Sequence, residues 1–284
     1  MKYKIACSLL IVFLCIQLHA QQGKFFHTSG KEITAPDGKP FLIKGTNLGN
    51  WLVPEGYMFK LGNTSSPRLI NEAFTELVGP FEMKKFWQQF LNNYVTEADI
   101  HYLKSLGMNS LRVPFNYRLF TNEMYMGATD STHGFTLFDK LIGWCKKENM
   151  YILLDMHCAP AGQTGDNIDD GYGYPFLFES ENDQQRTIDI WQRIASRYKD
   201  ESMIMGYDLL NEPIATYFDS SQFNSKLEPL YKRITAAIRK VDKNHIIFLG
   251  GAQWDSNFQP FGKPLPIRHF RPPALFVDLV HFSH

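Results

Sequence analysis

A recurring order does most to limit what this chain can fold into: a short apolar strand, an irregular loop, an amphipathic helix, then another strand. Six segments read as strands, "FLIKGTNL" (41–48), "NSLRVPF" (109–115), "MYILLDMH" (150–157), "MIMGYDLL" (203–210), "HIIFLGG" (245–251) and "VDLVHFSH" (277–284). Most are near-continuous apolar runs, as parallel strands need when both faces are covered. Between them lie helical stripes. Thr96 with Asp99 forms a capping-box variant, Ile100, Leu103 and Leu106 recur at helical spacing, and Gly107 closes the segment. Segments 136–148, 183–198 and 222–241 keep the same period. Strand and helix alternating this way builds βαβ units and a parallel sheet. A doubly wound sheet would want a G-x-G-x-x-G turn after its first strand, and "KGTNLGNWL" lacks that spacing. The expected fold is therefore an α/β (β/α)8 TIM barrel with six of its eight β/α units in the chain. Segments 49–95, 115–135 and 158–182 are expected to be long βα loops.

The first twenty residues put Lys2 and Lys4 ahead of an apolar run from Ile5 to Leu18 and finish in Leu18-His19-Ala20. This is the layout of a secretory signal peptide cleaved near Ala20, and the run is too short, and too abruptly followed by "QQGKFFHTSGKE", for a membrane anchor. The expected location is secreted or periplasmic, with residues 21–284 forming one domain. Without the leader, 27 basic residues face 29 acidic ones, a formal charge of −2. That balance implies no basic face, so nucleic acid is not an expected partner, and no later segment is long enough to engage a membrane by spanning it. A monomer is expected. Cys145 and Cys158 sit near the end of a predicted helix and the far end of the next strand, beyond disulfide reach. They are expected as free buried thiols, and no cofactor or metal site follows from them.

Polar residues collect where the predicted strands end: Arg112, His157, Asn211 with Glu212, and His284. Singly, each has an ordinary explanation, because a lone strand arginine is usually an ion-pair partner and a lone histidine in an apolar run a satisfied core residue. In a barrel they converge on one cleft, which packing alone does not require. Asp155 shares a strand face with His157 and is placed to orient its ring.

These residues carry a resemblance. "DLLNEP" preceded by an R-V-P strand and a "DMH" strand is similar to glycoside hydrolase family 5, and the similarity runs over residues 36–284. "KGTNLGNWLVPEGY" resembles the G-x-N-L-G-G-W-L opening of the family's exo-β-1,3-glucanase-like members, which implies a sugar contact for Glu55. "HCAPAGQTGDN" resembles their H-x-A-P-G-S-Q loop, with Ala161 in place of the glycine. The resemblance implies a retaining glycosidase acting on β-glucan or another β-glycan, β-mannan included. A non-catalytic carbohydrate-binding remnant is the alternative.

Glycosidic cleavage needs two carboxyl groups, one to protonate the leaving oxygen and one, about 5 Å away in retaining enzymes, to attack the anomeric carbon. Glu212 is the expected acid/base. Asn211 is expected to bond the sugar 2-hydroxyl, Arg112 to hold the nucleophile ionised, and His157 with His284 to line the sugar subsite. Trp51, Tyr57, Tyr172, Tyr174 and Trp254 are candidates for stacking on sugar rings, against the ordinary alternative that each is core. "DNIDDG" (166–171) suggests a calcium loop, but Ile168 and Leu177 occupy the positions where oxygen ligands are needed. It is expected as a polar loop shaping the cleft. The family's nucleophile, at the end of a seventh strand, would fall past His284, so the chain is expected to be a truncated and inactive form of the enzyme.

Overall fold

The computed structural model describes residues 24–261. The leader, the segment 277–284 and His284 lie outside the described residues. A hairpin of β1 (His27–Ser29) and β2 (Glu32–Thr34) precedes β3 (Gly45–Asn47). Then follow α1 (Pro67–Val78), α2 (Pro80–Asn93), α3 (Glu97–Ser105), β4 (Ser110–Asn116) and α4 (His133–Glu148). The described chain closes with β5 (Tyr151–Cys158), α5 (Glu181–Tyr198), β6 (Ile204–Asp208), α6 (Ser220–Val241) and β7 (Ile246–Phe248). Strands β3 to β7 form one parallel sheet in sequential order. A doubly wound sheet would reverse direction at a switch point. Sequential order with helices between successive strands is the arrangement of a (β/α)8 barrel, and five of its strands lie among the described residues.

One expectation is corrected. Segment 49–95 is not a loop throughout, since it contains α1 and α2. Ser66 caps α1 by accepting the Leu69 N–H at 3.2 Å, and each helix has a proline in its first turn. Gly79, at φ 80°, ends one helix and opens the next. Those start signals are present in "SSPRL" and "GPFEM", so capping chemistry was there to be read. The β1–β2 hairpin was also not foreseen, because three-residue strands carry too little periodicity to stand out.

The strands sort their side chains between two apolar clusters. On β5, Ile152, Leu154 and Met156 join the large core under the helices, while Leu153, with Tyr151 beside it, packs inside the arc with Phe26, Ile33, Met205, Ile246 and Phe248. Further along the same inner face come Asp155 and His157. On β6, Ile152 pairs with Ile204 but Leu153 pairs with Gly206, so Met205 is an extra residue. This bulge flips the alternation beyond it. Tyr207 turns to the outer core, fully buried, and Asp208 comes into register with Asp155. Gly206 is required at the bulge, since a Cβ there would lie 2.4 Å from the Ile246 carbonyl oxygen and 2.6 Å from the Phe248 ring. Cys145 and Cys158 are free and buried, as expected.

Candidate active site

Arg112 projects from β4 into the inner face and is held on several sides. Its Nε and Nη2 donate to Asp208 Oδ2 at 3.0 and 2.8 Å, and its Nη1 lies 3.0 Å from Asp155 Oδ2. Nη2 also donates to Asn211 Oδ1 at 2.9 Å, and Nη1 reaches Asn47 Oδ1 at 3.4 Å. Burial alone would favour the neutral guanidinium, but Asp155 and Asp208 outweigh it and push its pKa up. Burial also pushes the Asp208 carboxyl up to about 6, against the pull of Arg112 and with the charge of Asp155 adding to it.

His157 stands next to this cluster. Its Nδ1 is 2.7 Å from Asp155 Oδ2, which fixes the ring as expected, and its Nε2 is 3.5 Å from Glu55 Oε1. Burial opposes protonation, yet the charge and hydrogen bond of Asp155, with Glu55, bring its pKa up to about 10. His157 is therefore a cation at neutral pH, with both ring nitrogens donating. That decides how Asn211 works. Arg112 only donates, so the amide oxygen of Asn211 faces it, and Nδ2, 3.4 Å from His157 Nε2, keeps its protons for another acceptor.

Backbone fasteners set these side chains. Asn50 Oδ1 accepts the Glu55 N–H at 2.8 Å, which seats the loop after β3. Buried Gln163 donates through Nε2 to the carbonyls of His157 and Asn211, both at 2.8 Å, and accepts the Ala159 N–H at 2.9 Å. One glutamine thus ties the ends of β5 and β6 together. Glu212 follows Asn211 in a left-handed conformation, φ 44°, partly exposed on the cleft side. Tyr57 is exposed near both glutamates, and burial, then Glu55 and Glu212, raise its pKa.

The aromatic candidates are divided. Trp51 is fully buried, its Nε1 donating to the Leu91 carbonyl, so no ring face is open to a sugar. Tyr174 packs with Phe176, Phe218 and Phe223. Tyr172 is exposed with the Arg68 guanidinium 4.7 Å above its ring. Trp254 is 38% exposed and meets Tyr217 edge-on at 5.7 Å, at the mouth of the loop that follows Glu212. The "DNIDDG" segment lies in the loop after β5, as expected, but Asp169 and Asp170 turn inward. Asp169 is buried, accepting the N–H groups of Thr164, Gly165 and Gly171 at 2.8 to 2.9 Å, and Asp170 takes Asn116 Nδ2 and Arg118.

The family model for Cellulase (glycosyl hydrolase family 5) matches residues 72–272. The chain belongs to glycosyl hydrolase family 5. Beta-xylosidase of Phanerodontia chrysosporium is 35% identical over 239 residues, 84% of this chain and 48% of that protein. Endoglucanase C of Acetivibrio thermocellus is 31% identical over 171 residues, 60% of this chain and 46% of that protein. The chain spans about half the length of these curated relatives. Among solved structures, the rutinosidase from Aspergillus niger superposes with a TM-score of 0.63 at 19% identity, over 75% of this chain and 63% of that one, a likeness of fold.

In this family 5 chain the structure brings together Arg112, His157, Asn211, Glu212 and Glu55 and leaves Trp51 and Tyr174 in the packing. Sequence reading missed Asp208, Gln163 and Asn50. Asp208 sits three residues before Asn211 in "YDLLNEP", but its direction depends on the Met205 bulge. Gln163 was visible as the last residue of the "HCAPAGQ" match. Among the described residues no cluster of three or more His, Cys, Asp or Glu could hold a metal ion, and no helix is long and apolar enough to cross a membrane.

Proposed function

We propose that the whole protein is a secreted retaining glycoside hydrolase that cleaves β-glycosidic bonds of polysaccharides or oligosaccharides, with β-glucan, β-1,3- or β-1,4-linked, as its foremost substrate. Glu212 is the general acid/base. The observation that carries this reading is the pinning of Asn211. With its oxygen taken by Arg112, its Nδ2 is left to donate, next to Glu212 and between the His157 cation and the end of β6. A sugar 2-hydroxyl accepting from Nδ2 would set the glycosidic oxygen against Glu212, and that contact strengthens in an oxocarbenium-like transition state.

Glu212 gives its proton to the leaving oxygen as the bond to the anomeric carbon breaks, then takes a proton from the water that releases the glycosyl intermediate. His157 and Glu55 line the sugar subsite. The attacking carboxylate is assigned to the end of a seventh strand, past residue 284. Arg112, bound to Asp155 and Asp208, acts by building the subsite and placing Asn211. A second reading within the class, a β-xylosidase, is favoured by the 35% identity to an enzyme of that name.

The test is hydrolysis of laminarin, carboxymethyl cellulose, mannan and an aryl β-xyloside by the protein carrying whatever the coding region encodes past His284. Activity on one of them that Glu212→Gln lowers by about 10²–10⁴-fold, with the fold intact, is the expected result. Binding of a glycan without any cleavage would instead make the cleft a carbohydrate-binding site.

A further inference from the structure

We infer that Asp255, in the loop after β7, is the positioning residue for Glu212, clamping the backbone that aims the acid/base. This inference rests on the role proposed for Glu212. The loop closes on itself through paired backbone bonds between Ala252 and Asn257, at 2.8 and 2.9 Å. Inside it Gln253, Trp254 and Asp255 are consecutive left-handed residues, with φ of 57°, 54° and 61°. Facing it, Glu212 and Ile214 are left-handed too, at 44° and 62°. Non-glycine residues hold such conformations only where their surroundings over-determine them, and they gather at sites where direction matters. The two strained loops touch: the Trp254 N–H donates to the Ile214 carbonyl at 3.2 Å.

Asp255 is the piece between them. A Cβ on Gly250 would lie 2.1 Å from Asp255 Oδ1 and 3.2 Å from the Leu210 carbonyl oxygen, so the carboxyl is folded under its own loop against the strand end leading to Glu212. Oδ1 is buried with no hydrogen-bond partner, and the Glu212 backbone amide lies close enough to the carboxyl to favour its charge. Charged and titratable groups face it from β4, β6, α6 and the Glu212 loop. Asp208 on β6 and Glu212 disfavour its charge, Arg112 on β4 favours it, and Tyr231 on α6, which donates to the Gly250 carbonyl at 3.2 Å, closes the far side. Burial, with Asp208, holds the Asp255 carboxyl well above the usual carboxylate range.

Two measurements test this. In the full chain, the amide proton of Glu212 is followed by NMR as pH is raised. The expected result is a titration with its midpoint above the ordinary carboxylate range that Asp255→Asn abolishes. A Glu212 amide indifferent to Asp255→Asn would overturn the inference whether or not the protein is a glycosidase. In the full-length enzyme, Asp255→Ala should slow cleavage of glycosides with poor leaving groups by about 10²-fold, the scale of a lost proton transfer. It should spare a dinitrophenyl glycoside, whose leaving group needs no proton, and Asp255→Asn, which still accepts the amide, should restore much of the loss. Equal losses on both leaving groups would make Asp255 a structural residue only. Wild-type protein that cleaves neither substrate would refute the proposed function and leave the amide titration to decide the clamp.

Discussion

Arg112 shows at the scale of one residue how a polar cluster survives inside a barrel. It is the cation between two carboxylates, Asp155 and Asp208, all three nearly removed from solvent. Removing one partner of such a group leaves buried charge uncompensated. Arg112→Met should therefore destabilise the protein by about 3–5 kcal/mol, read by urea denaturation. A change below about 1 kcal/mol would show that the aspartates are carried neutral. His157 gives a pH prediction. Its folded pKa of about 10 lies above its ordinary value of 6.5, so its contribution to stability is complete below the ordinary value and is lost as pH rises through the folded one. Between about pH 6 and about pH 10, wild type should lose more stability than His157→Gln. Equal losses would mean that Asp155 does not hold a proton on the ring. Arg112, His157, Asn211 and Glu212 were legible because polar residues at the ends of apolar strands are conspicuous. Trp51 misled, since a tryptophan beside a cleft motif reads the same whether its ring lines the cleft or the core.

Elements decide whether those residues meet. Were the same sequence paired without the bulge at Met205, alternation would carry Asp208 to the helix side and Tyr207 to the inside, and Arg112 would lose its best acceptor. The loop after β5 is a second such device. Asp169 takes three backbone amides of that loop, and burial pushes its carboxyl up to about 6 against their pull. The Ile214 and Ala215 N–H groups then donate to the carbonyls of Gln163 and Thr164, seating the Glu212 loop on it. Asp169→Ala should leave the Thr164, Gly165 and Gly171 amides without their acceptor. Hydrogen exchange should quicken at these three and at Ile214 and Ala215. Faster exchange confined to the first three would uncouple the two loops. Neither device was legible beforehand. A bulge is set by pairing with the neighbouring strand, and a buried aspartate in "DNIDDG" has the composition of a solvated turn.

Across the whole molecule, the arc is filled from two ends with different chemistry. Toward the N-terminal end of the strands, Phe26 and Phe41 meet Tyr151 edge-on at 4.5 and 5.5 Å over Leu153, Met205, Ile246 and Phe248. Toward the C-terminal end the same inner face carries Asp155, Asp208 and His157. The N-terminal hairpin is thus the stopper beneath the charged layer. Phe26→Ala should lower stability by about 3–5 kcal/mol, the usual scale for a large buried ring. Thermal unfolding with a shift in Tm checks it, and an unchanged Tm would remove the hairpin from the folding unit. The alternation of strand and helix from β3 onward, the parallel sheet and the strand ends that bear Arg112, His157, Asn211 and Glu212 could be read along the chain. Hydrophobic periodicity and strand polarity are local properties written along the chain. That Asp208 faces inward, that Trp51 is core, that Gln163 ties two strands and that Asp255 packs against the strand end before Glu212 emerged only from the folded contacts. Each of these depends on a partner distant in sequence, and no local pattern carries that distance.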